Sequence, residues 1–327
     1  QALRQLAAAV LVVLYARRTN QSLGQQRALL AQDEQLPPSE QLRAALRYTI
    51  WGQLIASSEY LLCLVKPALA ARIGRLLVRT PRDAIANLTY GPNDRNTLDL
   101  YGVSGAPKPV IVFMHGGAWS FGHKWQYALV GEYLATQGFL VAVVNYRTFP
   151  AGSVMDMVED IENAVYWVAD HCQAYGGDER RIYLSGHSSG AHVGALALTL
   201  SSLRVAATGG SKTRSRELVD YVTGFIGLAA PYHIADHYVF ESNRIVGPIN
   251  GVHEISSMKP AMLGQTKFDQ SSPTALIEAN TLQHLKLPPF YLIHGVDDGV
   301  SGSHQFIKAL CCRSSSSRPA GRVCRDP

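Results

Sequence analysis

The sequence predicts an α/β fold: a mostly parallel, twisted sheet with helices on both faces, preceded by an N-terminal helical extension. A composition of 47% hydrophobic and 17% charged residues over 327 positions excludes a disordered or fibrous chain. From residue 86 onward, short apolar runs alternate with segments of helical pattern, and this alternation is typical of parallel sheets. Motifs that contain glycine follow three of the apolar runs.

The strands can be assigned in order along the chain. Two short runs, about 88–90 and 97–103, flank the turn residues 91–94 (GPND) and predict a hairpin. Five apolar runs then have the pattern of strands buried in a sheet. They are Pro109–Met114, Phe139–Tyr146, Arg181–Leu184, Val222–Ala230 and Pro289–His294. The predicted helices cover about 124–137, 154–174, 189–202 and 302–311. Parallel sheets carry their chemistry at the carboxyl ends of the strands, so functional motifs are expected there.

The formal net charge of +5 is concentrated at the two ends of the chain. Residues 1–82 have a balance of +7 and residues 313–327 of +3, whereas residues 83–312 have −5. Nucleic-acid binding requires a basic face on the folded domain, so we expect no nucleic-acid partner. A basic N-terminus suits an anionic membrane surface, and it equally suits solvated charge on helices.

Residues 1–80 are expected to form the helical extension. Leu6–Tyr15 is wholly apolar but shorter than the roughly 20 residues that cross a bilayer, so it predicts the end of a span, a signal-like core or a buried helix. Tyr48–Val65 is amphipathic, and Glu59 disfavours a span there. It predicts an interfacial helix or one packed on the catalytic domain. We therefore expect membrane association, at the endoplasmic reticulum or Golgi, with the catalytic domain facing the cytosol.

No cofactor or metal site is expected. The five cysteines are irregularly spaced and give neither a disulfide framework nor a zinc motif, which favours a reducing environment. His233 and His237 have a spacing that can bind metal on a helix, but no third ligand is evident. His192, one helical turn past Ser188, is interpreted as a packing residue.

The central motif is 186–190, GHSSG, between a predicted strand and a predicted helix. G-x-S-x-G in this position makes a sharp turn that projects the serine above the sheet. The following helix offers free N–H groups and the positive end of its dipole to an oxyanion. Ser188 is therefore the candidate nucleophile.

Two further motifs follow buried strands. In 115–119, HGGAW, Gly116 and Gly117 free backbone N–H groups to point into a cleft, as the other oxyanion donors would. In 294–298, HGVDD, a carboxylate is available to orient a triad histidine. Asp298 is the first candidate for that acid, with Asp297 in reserve.

The sequence resembles the α/β-hydrolases in the order of five segments. They are HGGAW, NYRTFP (145–150), MVEDIENAVYWV, YGGDERRIYLSGHSSGAH (175–192) and PFYLIHGVDD. More narrowly it resembles plant and algal isoprenylcysteine methylesterase-like proteins, with kynurenine formamidase and hormone-sensitive-lipase-like carboxylesterases nearby. The resemblance implies an α/β-hydrolase fold and a catalytic domain at 81–312, followed by an irregular tail at 313–327.

Carried over by motif, the resemblance makes Ser188 the nucleophile and Asp298 the acid. It places the oxyanion and substrate-binding strip at Gly116, Gly117, Ala118 and Trp119, with His187 and Ser189 flanking the nucleophile. Where the family has Gln-Ser-Ala at the elbow, this chain has His-Ser-Ser, and the Ser189 N–H can still serve because the backbone is the donor.

The triad histidine is the departure from the family pattern. It should follow one more strand, some thirty residues beyond the acid, yet only 29 residues follow Asp298 and their one histidine, His304, lies in a predicted helix. We expect either that the last strand and the histidine are missing from this chain, or that the protein is not a competent hydrolase.

Three functions remain open from the sequence. The first is a serine carboxylic-ester hydrolase that forms an acyl-enzyme, and the resemblance implies a small ester as substrate, most specifically a prenylated cysteine methyl ester at a membrane surface. The second is a kynurenine formamidase-like amidase or general carboxylesterase with the same residues. The third is a catalytically silent hydrolase fold that binds a small apolar ligand.

Overall fold

The computed structural model describes residues 83–207, 216–243, 245–246, 249–251, 253, 256–280 and 285–295. All of them fall within the predicted catalytic domain, 81–312. The predicted N-terminal extension and the 313–327 tail lie outside the described residues.

A seven-stranded sheet forms the centre of the described part of the chain, in the order β1-β2-β4-β3-β5-β6-β9. Its strands are β1 (Ala84–Thr89), β2 (Thr97–Tyr101), β3 (Lys108–Met114), β4 (Leu140–Val144), β5 (Gly177–His187), β6 (Val222–Leu228) and β9 (Phe290–Ile293). The first two pairings, β1 with β2 and β2 with β4, are antiparallel, and the other four are parallel. A separate two-stranded ribbon joins β7 (Ile245–Val246) to β8 (Ile249–Asn250).

The helices of the described residues connect these strands. They are α1 (Ala128–Thr136), α2 (Val154–His171), α3 (Ser189–Ala207), α4 (Ile234–Asn243), α5 (Met258–Ala261) and α6 (Pro273–Ala279). The predicted hairpin is the β1–β2 pair, and the predicted mostly parallel sheet is confirmed.

The sheet is covered on both faces because side chains alternate along its buried strands. On one face, Ile111 and Phe113 of β3 and their neighbours on β4 pack with residues of α1. On the other face, Val112 and Met114 belong to a larger core shared with residues of α2 and α3. This arrangement confirms the helices predicted on both faces.

Helix α3 lies deep in the larger core. It is the one helix among the described residues that is long and apolar enough to cross a membrane, by length and composition. However, 67% of its most apolar window is buried inside the domain, and it follows directly from the central strand β5. We therefore interpret α3 as a core helix, and its role is to present its N-terminus at the carboxyl edge of the sheet.

Several element boundaries differ from those predicted, and two of the differences have a visible structural cause. Strand β5 starts at Gly177 rather than Arg181, because Gly177 pairs with Lys108 at the start of β3 even though the polar residues after it are partly exposed. Helix α3 continues past residue 202 to Ala207, where Arg204 forms ion pairs with Glu162 and Glu217.

Candidate active site

Ser188 lies at a sharp turn between β5 and α3. Its φ is +51°, in the left-handed region that non-glycine residues rarely occupy. The turn is held by two backbone hydrogen bonds: the Ser188 N–H donates to the Leu228 carbonyl at 2.8 Å, and the His192 N–H donates to the Ser188 carbonyl at 3.0 Å. Backbone strain that is fixed in this way is characteristic of functional sites, and here it sets the direction of the serine hydroxyl.

Both glycines of the GHSSG motif are required by close packing. A Cβ on Gly186 would lie 2.8 Å from the backbone nitrogen of Ala191, and a Cβ on Gly190 would lie 2.3 Å from the carbonyl oxygen of His115. Side chains at these positions would push α3 away from the ends of β3 and β5. The glycines therefore bring the N-terminus of α3 against the strand that carries the HGGAW motif.

The Ser188 side chain is partly exposed, and its hydroxyl has no hydrogen-bond partner among the described residues. It stands at the N-terminus of the 19-residue helix α3. The first N–H groups of a helix have no partner within the helix, and the positive end of the dipole lies there. The Ser189 N–H is thus placed beside the serine as a donor to developing negative charge.

The HGGAW loop approaches Ser188 from the end of β3. A Cβ built on Gly116 would lie 3.2 Å from the Ser188 Cβ, so the space between the two residues has no room for a further side chain. The next three residues all have positive φ, namely +138° at Gly117, +45° at Ala118 and +61° at Trp119. This turn leaves the Gly117 and Ala118 N–H groups without an acceptor among the described residues, as an oxyanion site requires.

Two side chains hold the glycine end of this loop. The Gly116 N–H donates to the Tyr127 hydroxyl at 3.1 Å, and that hydroxyl lies 2.8 Å from His187 Nδ1. The Tyr127 hydroxyl accepts the first bond, and in the second it donates or accepts according to the tautomer of His187. Gly116 therefore contributes close backbone approach, while its N–H is used by Tyr127.

The outer end of the loop is tied to two other segments by hydrogen bonds to its backbone carbonyls. The Ser257 hydroxyl donates to the Ala118 carbonyl at 2.8 Å. The Phe149 N–H donates to the Trp119 carbonyl at 2.7 Å. The segment that carries Phe149 is fixed in turn by the buried Asp160, which accepts the Arg147 N–H at 2.7 Å and an Arg147 guanidinium N–H at 2.8 Å.

The side chain of Trp119 points into the core and is 2% exposed. Its indole N–H donates to His192 Nδ1 at 3.0 Å, and His192 Nε2 lies 2.7 Å from the Ser271 carbonyl. Burial lowers the pKa of His192 to about 4, so the ring is neutral at pH 7. Trp119 is thus inside the protein, under the strip formed by Gly117 and Ala118.

His115 is also neutral and fixed. Its Nδ1 faces the Gly116 carbonyl at 2.9 Å and its ring stacks on Tyr146 with centroids 4.4 Å apart. Burial, together with the positive charge of Arg95, lowers its pKa to about 3. A carbonyl can only accept, so Nδ1 carries the proton. His115 therefore supports the start of the loop and is not placed to act as a base.

The structure brings Ser188 against Gly116, with His187 and Ser189 on either side of the nucleophile. Two members of the predicted strip depart from their predicted roles: the Gly116 N–H is taken by Tyr127, and the Trp119 side chain is buried in the core. Asp298, its reserve Asp297 and His304 lie outside the described residues, so their predicted roles stay predictions. Among the residues that the structure describes, no group of three His, Cys, Asp or Glu side chains is arranged to hold a metal ion.

Sequence reasoning missed Tyr127 and Ser257. Neither belongs to a motif, and Ser257 is 139 positions away from the carbonyl that it binds. His192 does have a local signal, because it lies one helical turn after the nucleophile, but this spacing alone does not reveal a bond to Trp119.

Comparisons with known proteins show the family to which the sequence is similar. The BD-FAE family model matches residues 98–308. Two proteins of Arabidopsis thaliana, a "Probable isoprenylcysteine alpha-carbonyl methylesterase" and an "Isoprenylcysteine alpha-carbonyl methylesterase", are 36% and 35% identical over 216 and 219 residues. Each match covers 65% of this chain and, respectively, 43% and 48% of the relative. The chain thus spans about half the length of the curated relatives it matches.

A solved structure has the same fold. Esterase B from Lactobacillus Rhamnosis superposes with a TM-score of 0.56 at 20% sequence identity, covering 79% of this chain and 82% of that one. At this identity the likeness bears on architecture alone, and it identifies the sheet and its helices as an α/β-hydrolase fold.

Proposed function

Since the chain belongs to the BD-FAE family of α/β-hydrolases, we propose that it is a carboxylic ester hydrolase that forms an acyl-enzyme on Ser188. The observation that carries the proposal is the position of Ser188 at the turn before α3. There its partly exposed side chain lies next to the HGGAW loop, whose Gly117 and Ala118 N–H groups have no acceptor among the described residues. A nucleophile next to oxyanion donors is the arrangement that acyl transfer needs.

In the first half-reaction, Ser188 Oγ attacks the ester carbonyl carbon and a C–O bond forms. The carbonyl electron pair moves to oxygen, and the N–H groups of Gly117, Ala118 and Ser189 donate to that oxyanion. The serine proton passes to a base and then to the leaving alcohol as the ester C–O bond breaks. In the second half-reaction water attacks the acyl-serine carbonyl, and the bond between the acyl group and Ser188 Oγ breaks. The carboxylic acid is released and the serine hydroxyl is restored.

The base is proposed to be a histidine oriented by Asp298, as the family resemblance implies. A serine hydroxyl is a weak nucleophile at neutral pH without such a base. His115 and His192, which lie close to the site, are held neutral by burial and point into backbone carbonyls and buried partners. Neither of these two histidines is therefore placed to take the serine proton.

For the substrate we propose a methyl ester, most specifically the methyl ester of a prenylated cysteine. The names of the two Arabidopsis thaliana relatives support this choice. A membrane-held, lipidic substrate would also suit the amphipathic segment predicted at Tyr48–Val65, although that segment and the predicted membrane association lie outside the described residues.

The proposal is tested by measuring methanol release from two cysteine methyl esters, one prenylated and one not. The variants are Ser188→Ala and, as a matched control, Ser202→Ala, which removes a buried hydroxyl farther along the same helix. We expect release to fall at least about a thousandfold in Ser188→Ala, with Ser202→Ala near wild type. Equal rates in Ser188→Ala and wild type would remove Ser188 from the mechanism.

Companion measurements separate the other functions. Faster release of formate from a formyl amide than of methanol from either ester would assign an amidase. Equal rates on both esters would keep the hydrolase and overturn the prenyl preference. Saturable binding of a small apolar ligand by a chain that hydrolyses none of these compounds would support the silent, ligand-binding interpretation.

A further inference from the structure

A buried chain of hydrogen bonds links the nucleophile helix to the HGGAW loop. Trp119 Nε1 donates to His192 Nδ1 at 3.0 Å, and His192 Nε2 meets the Ser271 carbonyl at 2.7 Å. Trp119 is 2% exposed and His192 is fully buried. The indole and imidazole rings meet edge to face with centroids 5.4 Å apart. The chain therefore spans three segments that are distant in the sequence.

The partners of His192 fix its tautomer. An indole N–H can only donate, so Nδ1 must be the acceptor, and a backbone carbonyl can only accept, so Nε2 must carry the proton. Protonation of Nδ1 would place two donors face to face. The burial that lowers the pKa of His192 to about 4 acts in the same direction.

Trp119 occupies a conformation that needs such support. Its φ of +61° follows +45° at Ala118, and a non-glycine residue keeps such a strained conformation only where its surroundings fix it. The Ala118 N–H, one of the proposed oxyanion donors, lies on the peptide that joins Gly117 to Ala118, and the next peptide joins Ala118 to Trp119. Relaxation at Trp119 would therefore turn the donor strip away from the serine.

We propose that His192 is a positioning residue: its Nδ1 anchors Trp119 and so keeps the Gly117 and Ala118 N–H groups aimed at the position of the oxyanion. His192 also sits one turn after Ser188, since its N–H donates to the Ser188 carbonyl. His192 thus connects the nucleophile to the donor strip, through its backbone N–H on one side and its imidazole ring on the other. The inference rests on the proposed ester hydrolysis, in which those donors act.

Two substitutions at His192 separate this role from packing. In His192→Asn the side-chain oxygen can take the place of Nδ1 and accept the indole N–H. In His192→Gln the side-chain amide can instead take the place of Nε2 and donate to the Ser271 carbonyl, while the indole loses its acceptor. We expect kcat within about threefold of wild type for His192→Asn, and a loss of about 10- to 100-fold for His192→Gln, because small misplacements of reacting groups cost that much.

KM is expected to change less than about twofold in both variants, because the donors act on the transition state rather than on the bound ester. Trp119→Phe tests the same hydrogen bond from its donor side, because phenylalanine keeps a buried ring but lacks the indole N–H. It should lose kcat as His192→Gln does, and the Trp119→Phe/His192→Gln double variant should be no slower than either single variant.

Thermal unfolding of each variant accompanies the kinetics. Equal kcat for folded His192→Asn and His192→Gln, or losses that multiply in the double variant, would overturn the inference. A wild-type protein that hydrolyses no ester would instead overturn the proposed function. In that case the inference is judged on inhibitor capture: His192→Gln should react with a fluorophosphonate at least tenfold more slowly than His192→Asn, and equal rates would reject it.

Discussion

The contact between the N-terminus of α3 and the end of β3 makes Gly190 the most sensitive position in the described site. A Cβ there would meet the His115 carbonyl oxygen at 2.3 Å and the Met114 carbonyl oxygen at 2.7 Å. Both are backbone atoms of a buried strand, so neither can rotate away as a side chain would. Gly190→Ala must therefore displace the helix from the sheet.

The expected cost is that of overpacking a dense core, about 1–3 kcal/mol for one methyl group. In a domain of this size each kcal/mol lowers Tm by about 2–4 °C, so Gly190→Ala should lower Tm by roughly 2–12 °C. The displacement also separates Ser188 from Gly116, whose Cβ position lies 3.2 Å from the Ser188 Cβ. We expect esterase activity to fall at least about tenfold at temperatures where the variant is still folded.

The measurement is a thermal unfolding scan followed by an ester hydrolysis assay, with Gly105→Ala as the matched control. A Cβ at Gly105 meets no heavy atom within 4 Å, so this variant makes the same chemical change in open space and should leave Tm and activity unaltered. If Gly190→Ala has the Tm and activity of Gly105→Ala, the reasoning that the helix must touch β3 is refuted.

Three further predictions concern groups around the site. Tyr127→Phe removes the hydroxyl that binds both the Gly116 N–H and His187 Nδ1. In urea titrations this variant should lower the free energy of unfolding by about 1–3 kcal/mol, and its kcat should also fall. An unchanged urea midpoint would show that the bonds are not made. Gly116→Ala would place a methyl group 3.2 Å from the Ser188 Cβ and 2.8 Å from His187 Nδ1. This variant should therefore react with a fluorophosphonate at least about tenfold more slowly than wild type. Equal reaction rates for the variant and wild type would contradict this prediction. Burial lowers the pKa of His115 from 6.5 to about 3 and that of His192 from 6.5 to about 4, so below about pH 6.5 the unfolded chain binds more protons than the native state. The free energy of unfolding should therefore fall as the pH falls, by at most about 2 kcal/mol per histidine at pH 5. Equal urea midpoints at pH 7 and pH 5 would contradict this.

The fold was largely predictable because its signals are local. The β-branched runs of β3 and β4 and the turn residues between β1 and β2 act over a few positions of sequence. The GHSSG and HGGAW motifs are equally local, since each needs small residues at a tight bend. These segments could be placed without knowing which other residues pack against them.

The supporting contacts of the site were not predictable in the same way. Tyr127 reaches the backbone of Gly116 because the segment before α1 packs its ring against Phe113 of β3, and Ser257 reaches Ala118 from far along the chain. Such contacts depend on tertiary packing that no short pattern encodes. The interpretation of His192 as a packing residue illustrates the same limit, because its burial was foreseeable but its bond to Trp119 was not.

The central claim is that Ser188 is the nucleophile, and covalent capture tests it most directly. The protein is treated with a fluorophosphonate probe, and the labelled residue is located by mass spectrometry of its peptides. The account predicts one adduct, on Ser188, that disappears in Ser188→Ala and persists in Ser202→Ala. An adduct on another residue, or ester hydrolysis that continues while Ser188 stays unmodified, would contradict it.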